Sequence, residues 1–160
     1  MATRLASSPS EREVFLALLR AGDHLSRGLE KLLGQKPACL SLTQHHVLEI
    51  LRQSHQDVTG GLACHEIARR MITRDPDITR LLDRLEKRGL ITRSRGPGDR
   101  RIVLAAITAT GLEILAPLDE PLRAFYRQQL AGLGAEGLRK LAELLGQLRG
   151  PTQLSGGGDV

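Results

Sequence analysis

Residues 65–107 constrain this 160-residue chain more than any other part of it. Ile67, Ala68 and Met71 give a short helix over about 65–72. After a tight connection, Asp75-Pro76 opens a second helix. Asp caps it, and Pro takes the first turn, where a missing N–H costs nothing. That helix runs to Arg88 and stops at Gly89, a residue suited to the left-handed position after a helix end. Ile78, Leu81, Leu82 and Leu85 fall on one face at i, i+3, i+4 and i+7. At about 100° per residue, Arg80, Asp83 and Lys87 point the opposite way, with Asp77 and Arg84 on one flank. Leu90 to Arg95 then reads as a strand, Gly96-Pro97-Gly98-Asp99 as a turn, and Arg100 to Ile107 as an apolar, β-branched return strand. Two helices joined by a short turn, the second amphipathic and basic, form a helix-turn-helix, and the ribbon behind it, with Arg on both shoulders, is a wing.

Charge concentrates in the same place. The net charge of +5 lies wholly between His65 and Arg101, which hold 11 basic residues, ten of them Arg, against six acidic ones. The rest of the chain is balanced. Guanidinium groups suit phosphate and guanine edges, so a polyanion is the first partner implied. A merely solvated basic helix face is the alternative.

The flanks are helical. Ser10 with Glu13 forms a capping box, and Val14, Leu18, Ala21, Leu25, Leu29 and Leu32 mark a long amphipathic helix over about 11–33. Gly34 and Pro37 close it. A second helix starts near Thr43, buries Val47, Leu48, Ile50 and Leu51, and fades by His55; Gly60-Gly61 is a turn. After the wing, Thr108 or Thr110 caps a helix with Leu112, Leu115, Leu118, Leu122, Phe125 and Leu130, which Pro117 and Pro121 make irregular. A last helix over about 135–148 carries Leu138, Leu141, Leu144, Leu145 and Leu148. Residues 1–10 read as a flexible arm and 150–160, rich in Gly, as a disordered tail. With three aromatic residues, Phe15, Phe125 and Tyr126, the core must be aliphatic. The fold class expected is mainly α with a small β-hairpin wing: a winged helix-turn-helix over about 40–108 within a single domain, 11–149.

Several function classes are disfavoured. An apolar run such as Ile102 to Ile107, which no other run exceeds, is too short to cross a bilayer, so no membrane partner is expected. Two cysteines, Cys39 and Cys64, make no disulfide framework, and the address expected is cytoplasmic. The chain has no phosphate-cradling Gly loop, nucleophile elbow, metalloprotease motif or paired-carboxylate site, so an enzyme is not expected, and no cofactor is implied.

Glu66-Ile67-Ala68-Arg69-Arg70-Met71, the run Thr79 to Ile91, Arg93, Asp99-Arg100-Arg101, Leu104 and Thr108-Ala109-Thr110-Gly111 together resemble the multiple-antibiotic-resistance regulator (MarR) family over about residues 62–115. The resemblance implies a homodimeric, sequence-specific DNA-binding transcriptional regulator. It implies a repressor of a pseudo-palindromic operator, relieved by a small aromatic or phenolic effector. Helices over about 11–33 and 109–149 would form the dimer. Candidate contacts to double-stranded DNA are Arg74, Asp77, Thr79, Arg80 and Arg84 around the recognition helix, and Arg93, Arg95, Asp99, Arg100 and Arg101 in the wing. Carried over from the family's wing motif, Asp99 orients Arg101 into the minor groove, and the alternative is a salt bridge that only stiffens the hairpin. Pro76 and Asp77 depart from the Ser/Thr-rich start common in the family, so Asp77 is open to two roles: accepting from a cytosine amino group, or complementing the helix dipole.

The effector site has no sequence signature. His24, His45, His46, His55 and His65 with Cys39 and Cys64 show no convincing metal-ligand spacing, and no metal site is assigned. Cys39 follows Pro37 in a loop, with Lys36 as the one hint of thiol activation. Metal or redox sensing on the same fold, and a winged-helix protein-interaction module, are the alternatives.

Overall fold

The periodicities above become seven helices and a three-stranded sheet among the described residues. These are 8–35, 37–57, 61–71, 77–96 and 101–148 of a computed structural model. The arm up to residue 7, Gly60, Arg74, Asp75, Pro76, Asp99, Arg100, Lys36 and the tail 150–160 lie outside them. Helix α1 is Glu11–Leu33, with the Ser10–Glu13 capping box formed in both directions. Helix α2 is Leu42–Asp57, strand β1 Leu62–Ala63 and helix α3 Cys64–Arg70. Helix α4 is Ile78–Lys87, strand β2 Ile91–Arg95 and strand β3 Val103–Ile107. Helix α5 (Ala109–Leu115) passes through a 3-10 turn, Ala116–Leu118, into α6 (Asp119–Leu130); a second such turn, Ala131–Leu133, precedes α7 (Gly134–Leu148). The irregularity expected at Pro117 is this first turn.

The chain divides into two compact units, Met1–Leu122 and Arg123–Val160. The first holds an aliphatic core in which Leu33, Leu48, Ile67, Leu81, Leu82, Leu85, Leu90, Ile91 and Leu115 are all fully buried. Each buried leucine contributes roughly 1.5–3 kcal/mol of transfer free energy. Thus one face of α4 is fixed by Leu81, Leu82 and Leu85, which leaves the other face outside. In the second unit α7 contains no buried residue, and Leu138, Leu144, Leu145 and Leu148 are exposed. Val14, Phe15 and Leu19 are likewise exposed on α1.

The sheet is antiparallel in the order β1-β3-β2, with Ile91 opposite Ile107, Arg93 opposite Ala105 and Leu62 opposite Ala105 on the other side. Sequence reading finds the hairpin and misses β1. A two-residue strand has no alternation to detect, and only pairing with β3 defines it. Gly61 precedes it at φ +94°, and a Cβ there would meet the Ala105 carbonyl, so glycine is required for the strands to approach.

Four boundaries also differ from expectation. Helix α4 starts at Ile78 with Asp77, not Asp75, as its cap: the Asp77 side chain accepts from Arg80 N–H, and the apolar face begins at the next residue. Helix α3 ends at Arg70, with Met71 in extended backbone, and Ala68 faces solvent, not the core. Strand β3 is Val103–Ile107, with Ile102 still joined to Gly96, whose N–H donates to its carbonyl at 2.9 Å, and the expected start at Arg100 lies outside the described residues. Helix α2 runs to Asp57, beyond His55.

Candidate nucleic-acid interface

Three features position α4. Asp77 caps its start through Oδ1, which accepts from Arg80 N–H at 3.1 Å. At its end, Gly89 turns the chain at φ +70°. The neighbouring Arg88 guanidinium donates to the carbonyls of Ala38 (2.7 Å) and Cys39 (3.1 Å), which ties the α1–α2 loop to the helix end. Between these ends Thr79, Arg80, Arg84 and Lys87 are exposed. Arg84 Nε donates to the Arg80 carbonyl at 3.2 Å and lies along the helix.

The acidic residues of α4 and its cap are paired with arginines of the same chain. Asp77 Oδ2 pairs with Arg80 Nε at 2.9 Å. Asp83 and Glu86 both pair with Arg93 of β2, each at 2.6 Å. These two carboxylates hold the Arg93 guanidinium above its ordinary pKa. A helix surface that would otherwise alternate in sign thus presents mainly guanidinium and ammonium groups outward. Arg93 lies in the clamp between wing and helix, a place that the sequence pattern alone does not distinguish from the exposed basic positions. Arg95 and Arg101 are exposed on the two limbs of the wing. Arg74, Asp99 and Arg100 lie outside the described residues.

Sequence reading singled out no base on α3. Arg69, 74% exposed at its side chain, and Arg70 both pair with Glu66, and Arg70 also donates to the buried Ser54 hydroxyl at 3.0 Å. In the sequence they are visible as part of the basic stretch and of the Glu66–Met71 run that carries the family resemblance.

A second polar group occupies one face of α2. Arg52 makes a two-pronged bond to Asp119 at 2.9 and 3.0 Å and reaches Glu49 at 2.9 Å. Beside it His45 is buried, its Nε2 has no hydrogen-bond partner, and the nearest Glu49 oxygen is 3.5 Å away. Burial first, and then the Arg52 and His46 charges, push His45 down to about 4. Burial raises the Glu49 carboxyl against the pull of Arg52. Among the described residues no group of three His, Cys, Asp or Glu side chains is placed to hold a metal ion. Cys39 is exposed at φ +45°, and Cys64 is half-buried with its thiol pushed up by burial.

This geometry, an exposed basic helix clamped to a β-ribbon, agrees with the comparisons. A family model described as MarR family matches residues 40–103. The crystal structure of a MarR transcription factor from Planctomyces limnophilus is 38% identical, covering 88% of this chain and 98% of that one at a TM-score of 0.65. The chain belongs to the MarR family. It is therefore a DNA-binding transcriptional regulator and not an enzyme. An uncharacterized HTH-type transcriptional regulator of Bacillus subtilis, YdgJ, is 27% identical over 124 residues, 77% of this MarR-family chain and 74% of its own. The fold is shared with Bordetella bronchiseptica BpsR, whose structure concerns regulation of its DNA binding by 6-hydroxynicotinic acid. That match is 21% identical, with 84% and 97% of the two chains covered and a TM-score of 0.71. No helix among the described residues of this MarR-family protein is long and apolar enough to cross a membrane.

Proposed function

We propose that this MarR-family chain acts as a homodimeric repressor that places α4 in the major groove and the wing in the adjacent minor groove of a pseudo-palindromic operator. The observation that carries the reading is the outward face of α4, where Thr79, Arg80, Arg84 and Lys87 are exposed while Asp83 and Glu86 are turned onto Arg93. A helix of this width fits the major groove with its first turns near base edges. In this reading Thr79, Arg80 and Arg84, with Arg74 before them, serve bases and phosphates, and Asp77 caps the helix start beside them. Arg95, Arg100 and Arg101 serve the minor groove and its walls, with Asp99 orienting Arg101. Arg93 contributes by holding the wing to α4.

Pairing follows from the exposed leucines of α7 and the apolar residues of α1, which a monomer leaves in water. Two-fold symmetry then sets two recognition helices about one DNA turn apart. BpsR, a neighbour in fold, is regulated by a small aromatic acid, which supports a small aromatic or phenolic effector here. The test is a mobility shift against duplex DNA with a salt titration. Binding through several phosphates must weaken steeply as salt rises. Indifference to duplexes of every composition at low salt would remove the reading and favour a protein-interaction module.

A further inference from the structure

The first turn of α4 holds an arrangement that capping does not explain. A cap needs one acceptor oxygen, and Asp77 Oδ1 supplies it to the Arg80 N–H at 3.1 Å. The second oxygen, Oδ2, forms an ion pair with the same residue, 2.9 Å from the Arg80 side-chain Nε. One carboxylate thus grips the backbone and the side chain of the same residue. The Arg80 side chain nevertheless remains 81% exposed, on the outer face of the helix.

A guanidinium is a rigid plane. Fixing its Nε edge on Asp77 orients the whole plane, and the two terminal nitrogens form its outer edge. That edge matches the O6 and N7 acceptors of guanine in the major groove. We propose that Asp77 is a positioning residue that buttresses Arg80 as a guanine reader, so that base preference at this position depends on a residue that touches no base. This rests on the reading that α4 enters the major groove. In water such an exposed pair contributes little to stability. Against DNA, where water is displaced, the same pair is stronger, and Arg80 has less side-chain freedom left to lose. The pairing also neutralises a carboxylate that phosphates would otherwise repel.

The experiment selects bound sites from random duplex DNA with the full-length protein, Arg80→Ala, Asp77→Asn and Asp77→Ser. Asn and Ser both keep a capping oxygen, so the thermal midpoint serves as the control for folding. The unaltered protein should select guanine at one fixed position in each half-site, and Arg80→Ala should lose it. Both Asp77 variants should weaken that guanine preference about tenfold, within the roughly 5- to 150-fold that a good bidentate contact discriminates, while other positions keep theirs. An Arg80-dependent guanine that survives in both Asp77 variants overturns the buttress alone. So does a preference lost from the Asp77 variants at a different position, which would mean that Asp77 reads a base itself. If Arg80→Ala changes no position, the major-groove reading fails, and the buttress fails with it.

Discussion

Arg93 Nε and Nη2 both donate to Glu86 Oε2, at 2.8 and 2.6 Å, so the wing strand β2 is bolted to the last turn of α4. A second carboxylate, Asp83, closes the clamp one helical turn earlier. The three side chains are between a quarter and two-fifths exposed, so solvent screening discounts their attraction. Arg93→Ala is expected to cost about 1 kcal/mol of stability and to lower operator affinity about tenfold, because wing and helix no longer dock as one body. Arg93→Lys should recover part of the stability and less of the affinity, since an ammonium cannot reproduce the planar fork. Thermal melts and mobility shifts on the same preparations separate the two effects. Affinity unchanged in Arg93→Ala would show that the clamp does not set the wing.

Gly111 is the third residue of α5, and a Cβ there would strike the Leu90 carbonyl and the Ile107 side chain. The same Leu90 carbonyl accepts from Thr108 N–H at 3.0 Å, and Thr108 Oγ1 donates to Gly89 at 2.7 Å. The end of α4, the end of β3 and the start of α5 are therefore packed at backbone contact. Gly111→Ala must push backbone rather than a flexible side-chain tip. It should destabilise by roughly 1–3 kcal/mol, the usual cost of overpacking, despite alanine's better helix propensity. Denaturant titration checks this, and a neutral or stabilised variant would mean that the junction is loose.

These two junctions also show where sequence reading reaches and where it stops. The helices with repeating leucines and the Gly89 turn were legible because period and turn chemistry are local properties. Asp75-Pro76 predicts a start of α4 two residues before the observed one, because Asp75-Pro76 and Asp77 each carry a valid cap signal, and only the contact with Arg80 distinguishes them. Strand β1 exists through its pairing alone. Of the site, the bases were visible as a list, but the list could not separate exposed Arg80 and Arg84 from Arg93, because an ion pair between β2 and α4 depends on how the hairpin folds back. Asp119 as the partner of Arg52, 67 residues away, left no local trace.

His45 gives a prediction in pH. Its folded-state value of about 4 lies below the ordinary 6.5, because burial disfavours the imidazolium. As pH falls below 6.5 the unfolded chain takes up a proton that the folded chain refuses, so stability is lost from 6.5 down to about 4. The raised Glu49 carboxyl acts in the opposite sense, because the folded state binds its proton first and recovers part of the loss. His45→Leu removes the refused proton and the orphaned Nε2 together. It should raise the melting temperature at pH 7 and flatten its decline between pH 6.5 and 5. An equally steep acid limb in His45→Leu would assign that decline to other groups.

Helix α7 bears Leu138, Leu144, Leu145 and Leu148 on its surface at 39–67% exposure, with no residue of the helix buried. A single chain has no energetic reason to hold four leucines in water. Burying them against a second copy, at roughly 25 cal/mol per Å² of apolar area, supplies one. A charge at the centre of such a contact would be desolvated without a partner. Leu144→Asp with Leu145→Asp should therefore shift the protein to monomers in sedimentation velocity at micromolar concentration. The far-ultraviolet circular dichroism should barely change, since these side chains contribute nothing to the buried core of their own chain. The monomer should retain weak, salt-sensitive DNA binding through one α4 and lose the dependence on a second half-site. If the double variant still sediments as a dimer, the contact between copies lies elsewhere, and the exposed apolar residues of α1, Val14, Phe15 and Leu19, become the surface to substitute next.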